Sequence, residues 1–365
     1  YIMKIVNCFC LINTDEITQE QFKSLQKLLT IYYNKPPVFI NKKLYTLDIK
    51  RKLIIIPRFT FYEVFFNCLI YHENKPNDNY KYYSKAHRLE REKCYQNLLP
   101  VLEKVKKMEF MKLPASIDIP DWSCKLNENQ TIILDFLMTY LYNESISSMG
   151  FAGLSLNLEA GQGKTYIAMA MINKFKLPTL IVVHNTEMLD QWYGDLKKAY
   201  PNNNIVGCYY TKIKQRKEIN VMVINSCLLD KFVVKVGDNK VEYTAKDFYD
   251  LYKFVIFDES HLYSGDARQK IFTKISPYYM IGLSASPYED ELTHMDTITY
   301  QYIGCVFHAD DIPGFNPTDK VFTGDINIIK YDSEKKYKEI CYSKKGDKVY
   351  FNSMKRIFSD PYRIQ

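Results

Sequence analysis

The sequence predicts an α/β protein: a parallel sheet covered by helices on both faces and carrying a nucleotide-phosphate loop, preceded by a smaller α+β segment. Three observations predict it. From about residue 126, apolar runs of four to seven residues (SLNL, TLIVV, VMVI, FVIF, MIGL) alternate with helical stretches, the pattern of strands buried on both faces. GQGKT at 161–165 stands between one such strand and an apolar-periodic helix. The run FVIF ends in the acidic pair Asp258-Glu259, followed by Ser260-His261.

The phosphate loop comes first. A cradle for phosphate needs inward backbone N–H groups, a helix N-terminus and a lysine. Gly161, Gln162 and Gly163 form the tight approach, Lys164 would reach the β- and γ-phosphates, and the Thr165 hydroxyl would ligate Mg²⁺. The full pattern asks for glycine six residues before the lysine, where this chain has Leu158. The shorter GxGKT remains, and its strand–loop–helix context supports it. In the acidic pair, Asp258 would hold Mg²⁺ through water and Glu259 would orient the attacking water. A third strand tip, GLSASP at 282–287, offers hydroxyls at Ser284 and Ser286 that could sense the γ-phosphate; alone it reads as a turn.

Before this region, residues 1–115 mix apolar runs with polar breaks. ENKPNDNYKYYSK at 73–85 reads as a loop, 86–112 as a helix with apolar positions from Leu89 to Met108, and KLPASIDIPDW at 112–122 as a linker. VVKVGDNKVEY at 233–243 reads as an inserted hairpin turning at Gly237-Asp238-Asn239. Beyond about 320 a strand, DINIIKY, and a charged helix begin something new.

Composition is that of an ordinary globular protein, 47% hydrophobic and 25% charged in 365 residues, and no run of about 18 apolar residues suggests a membrane span. Nine cysteines without a CxxC pair argue against a zinc site or disulfide framework and for a reducing compartment, the cytoplasm. The net charge of +7 is uneven: residues 1–125 hold 21 Lys and Arg against 13 Asp and Glu, and the remainder is nearly neutral. A basic N-terminal segment suits a nucleic-acid partner. A Lys-, Asn- and Tyr-rich composition is also what an AT-rich genome encodes. The first residue is Tyr1, so the chain is expected to be a fragment.

With GQGKT, DESH and SAS in order, the chain resembles superfamily 2 helicases of the DExH type, over about 125–315. GQGKT is similar to motif I, DESH to motif II and SAS to motif III. LIVVHNTEMLDQW at 180–192 resembles motif Ia with the Gln-Trp signature of the branch that holds the XPB repair helicases, phage UvsW and the poxvirus transcript-release helicase; VMVINSCLL at 221–229 resembles motif Ib. LNENQ at 126–130 resembles the glutamine motif, which would make Gln130 an adenine contact. The resemblance implies a first RecA-like ATPase domain at 116–318, an accessory domain at 1–115 for nucleic-acid binding or for docking transcription machinery, and the start of a second RecA-like domain at 319–365. It implies ATP and Mg²⁺ as cofactors. His261 would couple the ATP site to Ser284 and Ser286. His184, Asn185, Thr186, Asn225 and Ser226 would contact a strand's phosphates, with a helix cap as the competing role for Thr186 and Ser226. Trp192, in an apolar-periodic helix, reads as core rather than base-stacking.

The departures are His184 where the branch usually has proline, Tyr288-Glu289-Asp290 where an arginine usually follows motif III, and no QxxGRxxR-like motif VI. Arginine fingers contribute orders of magnitude to turnover, so the chain alone is expected to hydrolyse ATP poorly. The resulting expectation is an ATP-driven helicase or translocase, on DNA in preference to RNA, in viral transcription, replication or repair, located in host cytoplasm or virion if its source is viral. Two alternatives stay open: the motor of a restriction enzyme or packaging terminase, and a non-catalytic nucleic-acid-binding module. The sequence leaves the oligomeric state open.

Overall fold

A computed structural model describes residues 3–6, 8–35, 38–60, 85–106, 115–122, 125–142, 151–159, 161–201, 204–237, 239–285, 298 and 301–316. Contacts divide the chain into Tyr1–Val321 and Phe322–Gln365. The expectations for 73–84, Ser286, 288–290 and everything beyond 316 lie outside the described residues.

The N-terminal part is α+β. Strands β1 (Met3–Val6), β2 (Phe9–Asn13), β5 (Thr46–Asp48) and β6 (Leu53–Pro57) form an antiparallel sheet in the order β1-β2-β6-β5. Between them run helix α1 (Gln19–Leu28) and the hairpin β3 (Thr30–Lys35)–β4 (Val38–Lys43). Thr18 and Gln21 satisfy each other's backbone N–H in a capping box, which fixes where α1 starts. Helix α2 (Lys85–Lys106) packs on α1, burying Cys94, Tyr95, Leu98 and Val101. Leu89, expected on the apolar face, is instead 51% exposed. It lies outside the stripe set by Cys94, Leu98 and Val101.

This part is fastened to the rest. Arg58, just after β6, is buried with its guanidinium over the rings of Phe59 and Phe151, and it donates a 2.8 Å hydrogen bond to the Pro277 carbonyl. Phe9 sets its ring edge-on to Tyr302, which stacks on Phe272.

Helix α3 (Glu128–Leu141) opens the larger part. Strands β7 (Ala152–Asn157), β8 (Thr179–Val183), β9 (Val206–Tyr209), β10 (Ile219–Val223), β13 (Phe254–Asp258), β14 (Tyr279–Ser284) and β15 (Cys305–His308) form one sheet in the order β15-β7-β14-β13-β8-β10-β9. Every pairing is parallel. The apolar runs are continuous because both faces are covered: every residue of β8, β10, β13 and β14 is buried. The crossovers include α4 (Lys164–Phe175), α5 (Thr186–Ala199) and the short α6 (Ile224–Cys227).

The described part of the expected linker, 115–122, is held in place: Ile119 is buried, the Ile117 N–H donates to the Lys176 carbonyl, and the Lys176 ammonium reaches Ile119 and Asp121. Three side-specific anchors lay it against the end of α4. The hairpin is present as β11 (Lys231–Val236) and β12 (Asn239–Thr244), but Asn239 pairs with Val236 in the ladder rather than sitting in the turn. Gly237, at φ 61, supplies the left-handed backbone that a two-residue turn requires.

Candidate functional site

In a parallel α/β sheet the loops at the carboxyl ends of the strands share one edge, where ligands bind. The expected motif residues leave neighbouring strands on that edge: GQGKT after β7, Ser284 at the end of β14, Asp258 at the end of β13, His184 after β8 and Asn225 after β10.

The phosphate loop turns through two left-handed glycines, Gly161 at φ 85 and Gly163 at φ 82. Gln162 folds it further by accepting from the Glu159 N–H at 3.0 Å. Lys164 begins α4, and its ammonium turns back to donate to the loop's own carbonyls, Leu158 at 2.8 Å and Glu159 at 3.3 Å. Burial pushes the Lys164 pKa down, against the charges of Glu259 and Asp258. Thr165 follows in the first turn. Gln130 crosses this loop: a Cβ on Gly163 would overlap its amide. Its Oε1 also accepts from the Asn127 N–H at 3.0 Å, and Asn127 Oδ1 accepts from the Gln130 N–H at 2.8 Å. The residue expected at adenine therefore also closes the N-terminus of α3.

Asp258 is buried at the tip of β13, and the chain then turns through Glu259 at φ 50, a left-handed conformation uncommon for a side-chain-bearing residue. The Glu259 side chain is partly exposed, unlike the buried Asp258 before it. His261 Nδ1 lies 2.8 Å from the Ser284 hydroxyl and 3.4 Å from Glu259 Oε2. Motif II and the first serine of motif III are thus joined through one imidazole. Burial pushes the Asp258 carboxyl up from its usual range; a hydrogen bond from Trp192 works the other way, and the charge of Glu259 adds to the rise.

That Trp192 bond is the feature sequence reasoning missed. The indole Nε1–H donates to Asp258 Oδ2 at 2.9 Å. Trp192 is the core residue expected, and its polar edge does something besides. The Gln-Trp pair at 191–192 was the available clue.

The donor set suits Mg²⁺. It offers hard oxygens only, the Thr165 hydroxyl and the Asp258 carboxylate, beside a loop shaped for phosphate. A buried carboxyl with a raised pKa is the group whose charge a divalent cation would favour. Among the described residues no cluster of three or more His, Cys, Asp or Glu forms an all-protein metal site.

The remaining candidates form a second group on the same edge. Val183 and Val223 are register partners, so His184–Thr186 and Ile224–Ser226 emerge side by side. Thr186 and Asn225 are exposed. The capping role falls to Asn185, whose Oδ1 accepts from the Met188 N–H at 2.8 Å; Thr186 is the first helical residue, and Ser226 lies within α6, so neither is a cap.

The chain is similar to several known proteins. The family model described as "Type III restriction enzyme, res subunit" matches residues 123–289. A protein of Invertebrate iridescent virus 3 provisionally named helicase 109L is 33% identical over 143 residues, 38% of this chain and 41% of that protein. A protein of African swine fever virus provisionally named ATP-dependent RNA helicase QP509L is 29% identical over 212 residues, 58% of this chain and 38% of that protein. The matched regions span about two fifths of the length of these relatives. The UvsW helicase from Bacteriophage T4 superposes with a TM-score of 0.49 at 13% identity, over 84% of this chain and 98% of that one. The phosphate loop and the acidic strand tip both lie within residues 123–289, the stretch that this family model matches, and the chain is similar there to viral proteins named as helicases.

Proposed function

We propose that this chain binds ATP and a divalent cation at the edge of its parallel sheet and uses them to move along nucleic acid. The carrying observation is the single edge that holds Lys164, Thr165, Asp258 and Glu259 beside the group His184, Asn185, Thr186, Asn225 and Ser226. In this reading Lys164 leaves the Leu158 and Glu159 carbonyls for the β- and γ-phosphates, Gln130 reads the adenine, Thr165 and Asp258 hold Mg²⁺, and Glu259 orients the attacking water. The cation supplies charge neutralisation at the transferring phosphoryl group. His261 passes the state of Glu259 to Ser284, and on to Ser286.

DNA is favoured over RNA as the track, and the basic residues 1–115 are assigned to duplex contact or to transcription machinery. The work belongs to a viral life cycle, as the names of the similar proteins suggest. No QxxGRxxR-like run occurs in the 365 residues, so turnover by this chain alone is slow. The name of the matching family favours one second reading, the motor of a restriction enzyme; cleavage of duplex DNA in the presence of ATP would distinguish it.

The test is ATP hydrolysis by the chain with and without single-stranded and duplex DNA and RNA, beside Lys164→Ala and Glu259→Gln. Stimulation by one nucleic acid, lost in both variants, supports the motor and names its track. Absence of ATP binding sinks the reading.

A further inference from the structure

Trp192 and Asp258 stand 66 residues apart in sequence and meet through one hydrogen bond, indole Nε1–H to carboxylate Oδ2 at 2.9 Å. Trp192 is 1% exposed and Asp258 5%. An indole nitrogen only donates, so the bond runs one way. With an ionised acceptor it is charge-assisted and stronger than a neutral pair. The ring has little freedom, since Leu189 and Leu196, three and four residues away on the same face of α5, are fully buried with it. Oδ2 is therefore engaged by the indole, the carboxylate also accepts from the Glu259 backbone N–H, and the two bonds together fix its plane and leave its remaining lone pairs facing the strand tip for another partner.

We propose that Trp192 is a positioning residue for the metal: it holds the Asp258 carboxylate in the one orientation that offers its remaining lone pairs to the nucleotide-bound divalent cation. The proposal rests on the nucleotide-site reading above. It also gives α5 a mechanical role. Thr186, at the start of that helix, lies six residues from Trp192, about 9 Å along the axis. A strand phosphate held at the start of α5 and a cation held at Asp258 then act on the same rigid element.

The experiment uses the full chain, ADP, and Mn²⁺ as the probe, followed by electron paramagnetic resonance. Trp192→Phe keeps an aromatic ring and removes the donor. Mn²⁺ binding to the ADP-loaded variant is expected to weaken about 10-fold, the low end for losing a hydrogen-bonded partner of a metal-binding side chain. Binding of a fluorescent ADP analogue in EDTA stays unchanged. A second readout needs no variant at position 192. The chain has two tryptophans, so it shows two indole N–H resonances, and Trp122→Phe assigns them. The Trp192 resonance is expected to move when Mg²⁺ joins bound ADP. Equal Mn²⁺ affinity in wild type and Trp192→Phe overturns the proposal, as does an indole resonance indifferent to Mg²⁺. A wild type that binds no ADP fails at the nucleotide-site reading instead, which separates the two.

Discussion

His261 and Ser284 are hydrogen-bonded across the tips of two adjacent strands, Nδ1 to Oγ at 2.8 Å, and the same imidazole lies 3.4 Å from the Glu259 carboxylate. The bond is buried on the serine side, where β14 pairs with β13. A change at Glu259 therefore has a short path to the neighbouring strand. Ser284→Ala removes the hydroxyl and little volume. The expected result is unchanged ATP binding with nucleic-acid-stimulated hydrolysis reduced about 10-fold, equivalent to about 1.4 kcal/mol and within the worth of one hydrogen bond. Steady-state hydrolysis with and without nucleic acid checks it, and full stimulation in the variant would show that the bond carries no coupling.

Gly163→Ala should disable the phosphate loop without unfolding the chain. The residue sits at φ 82, and a Cβ there would overlap the Gln130 amide. The left-handed backbone costs an L-residue about 1–2 kcal/mol before any clash. Displacing Gln130 adds the loss of its bond to Asn127. Nucleotide affinity, followed with a fluorescent ATP analogue, is expected to fall about 10-fold or more, and the strain in the folded chain should lower the thermal midpoint by a few degrees. An affinity equal to wild type would mean that the loop re-forms around the methyl group.

The candidate nucleotide site was legible as a constellation because each part is local. A strand, a glycine loop and a helix follow one another within 24 residues, 152–175, and FVIFD announces its own buried strand end. The parallel sheet was legible for a related reason, since strands covered on both faces have no polar alternation to confuse. What stayed hidden depends on distance. The Gln-Trp pair marks position 192 but does not say that its indole will find a carboxylate 66 residues on, and an aromatic in an apolar-periodic helix reads as core. Arg58 was hidden likewise, because a lone arginine after LIIIP gives no hint that two rings and a carbonyl await it. The cap went to Asn185 rather than Thr186 because the helix starts at Thr186, one residue earlier than a Thr186 cap would place it.

Arg58 sets the third expectation. Its guanidinium lies 4.8 Å from the Phe151 ring centre and 5.1 Å from that of Phe59, and it donates to the Pro277 carbonyl. It thereby fastens the N-terminal sheet beside β7 and β14. Arg58→Ala removes a buried side chain and strands a carbonyl, a loss of about 2–4 kcal/mol. Urea unfolding should show the lower midpoint, and limited proteolysis should release a fragment cut near residue 60. Unchanged stability would place the fastening elsewhere, in Phe9 and Tyr302.

The buried thiols give the last expectation, and its sign follows from proton counting. Burial pushes Cys8 up to about 11, with Arg58 opposing, and Cys10 and Cys227 up to about 12. The thiolate is the reactive form, so at about pH 8 these three should resist iodoacetamide in the folded chain and react once urea unfolds it. The same shift bears on stability. In the unfolded chain the thiols release protons near their ordinary value of 9.0, while the folded chain keeps them. Between that value and about 11 to 12 the native state therefore binds more protons, and stability falls as pH rises through the window. Below 9.0 these groups contribute no slope, because both states hold the proton. Urea midpoints on either side of 9.0, with alkylation counted by mass spectrometry, test both statements. Alkylation of Cys10 or Cys227 in the folded chain at the unfolded rate would mean that β2 or α6, which hold them, open far more readily than their burial implies.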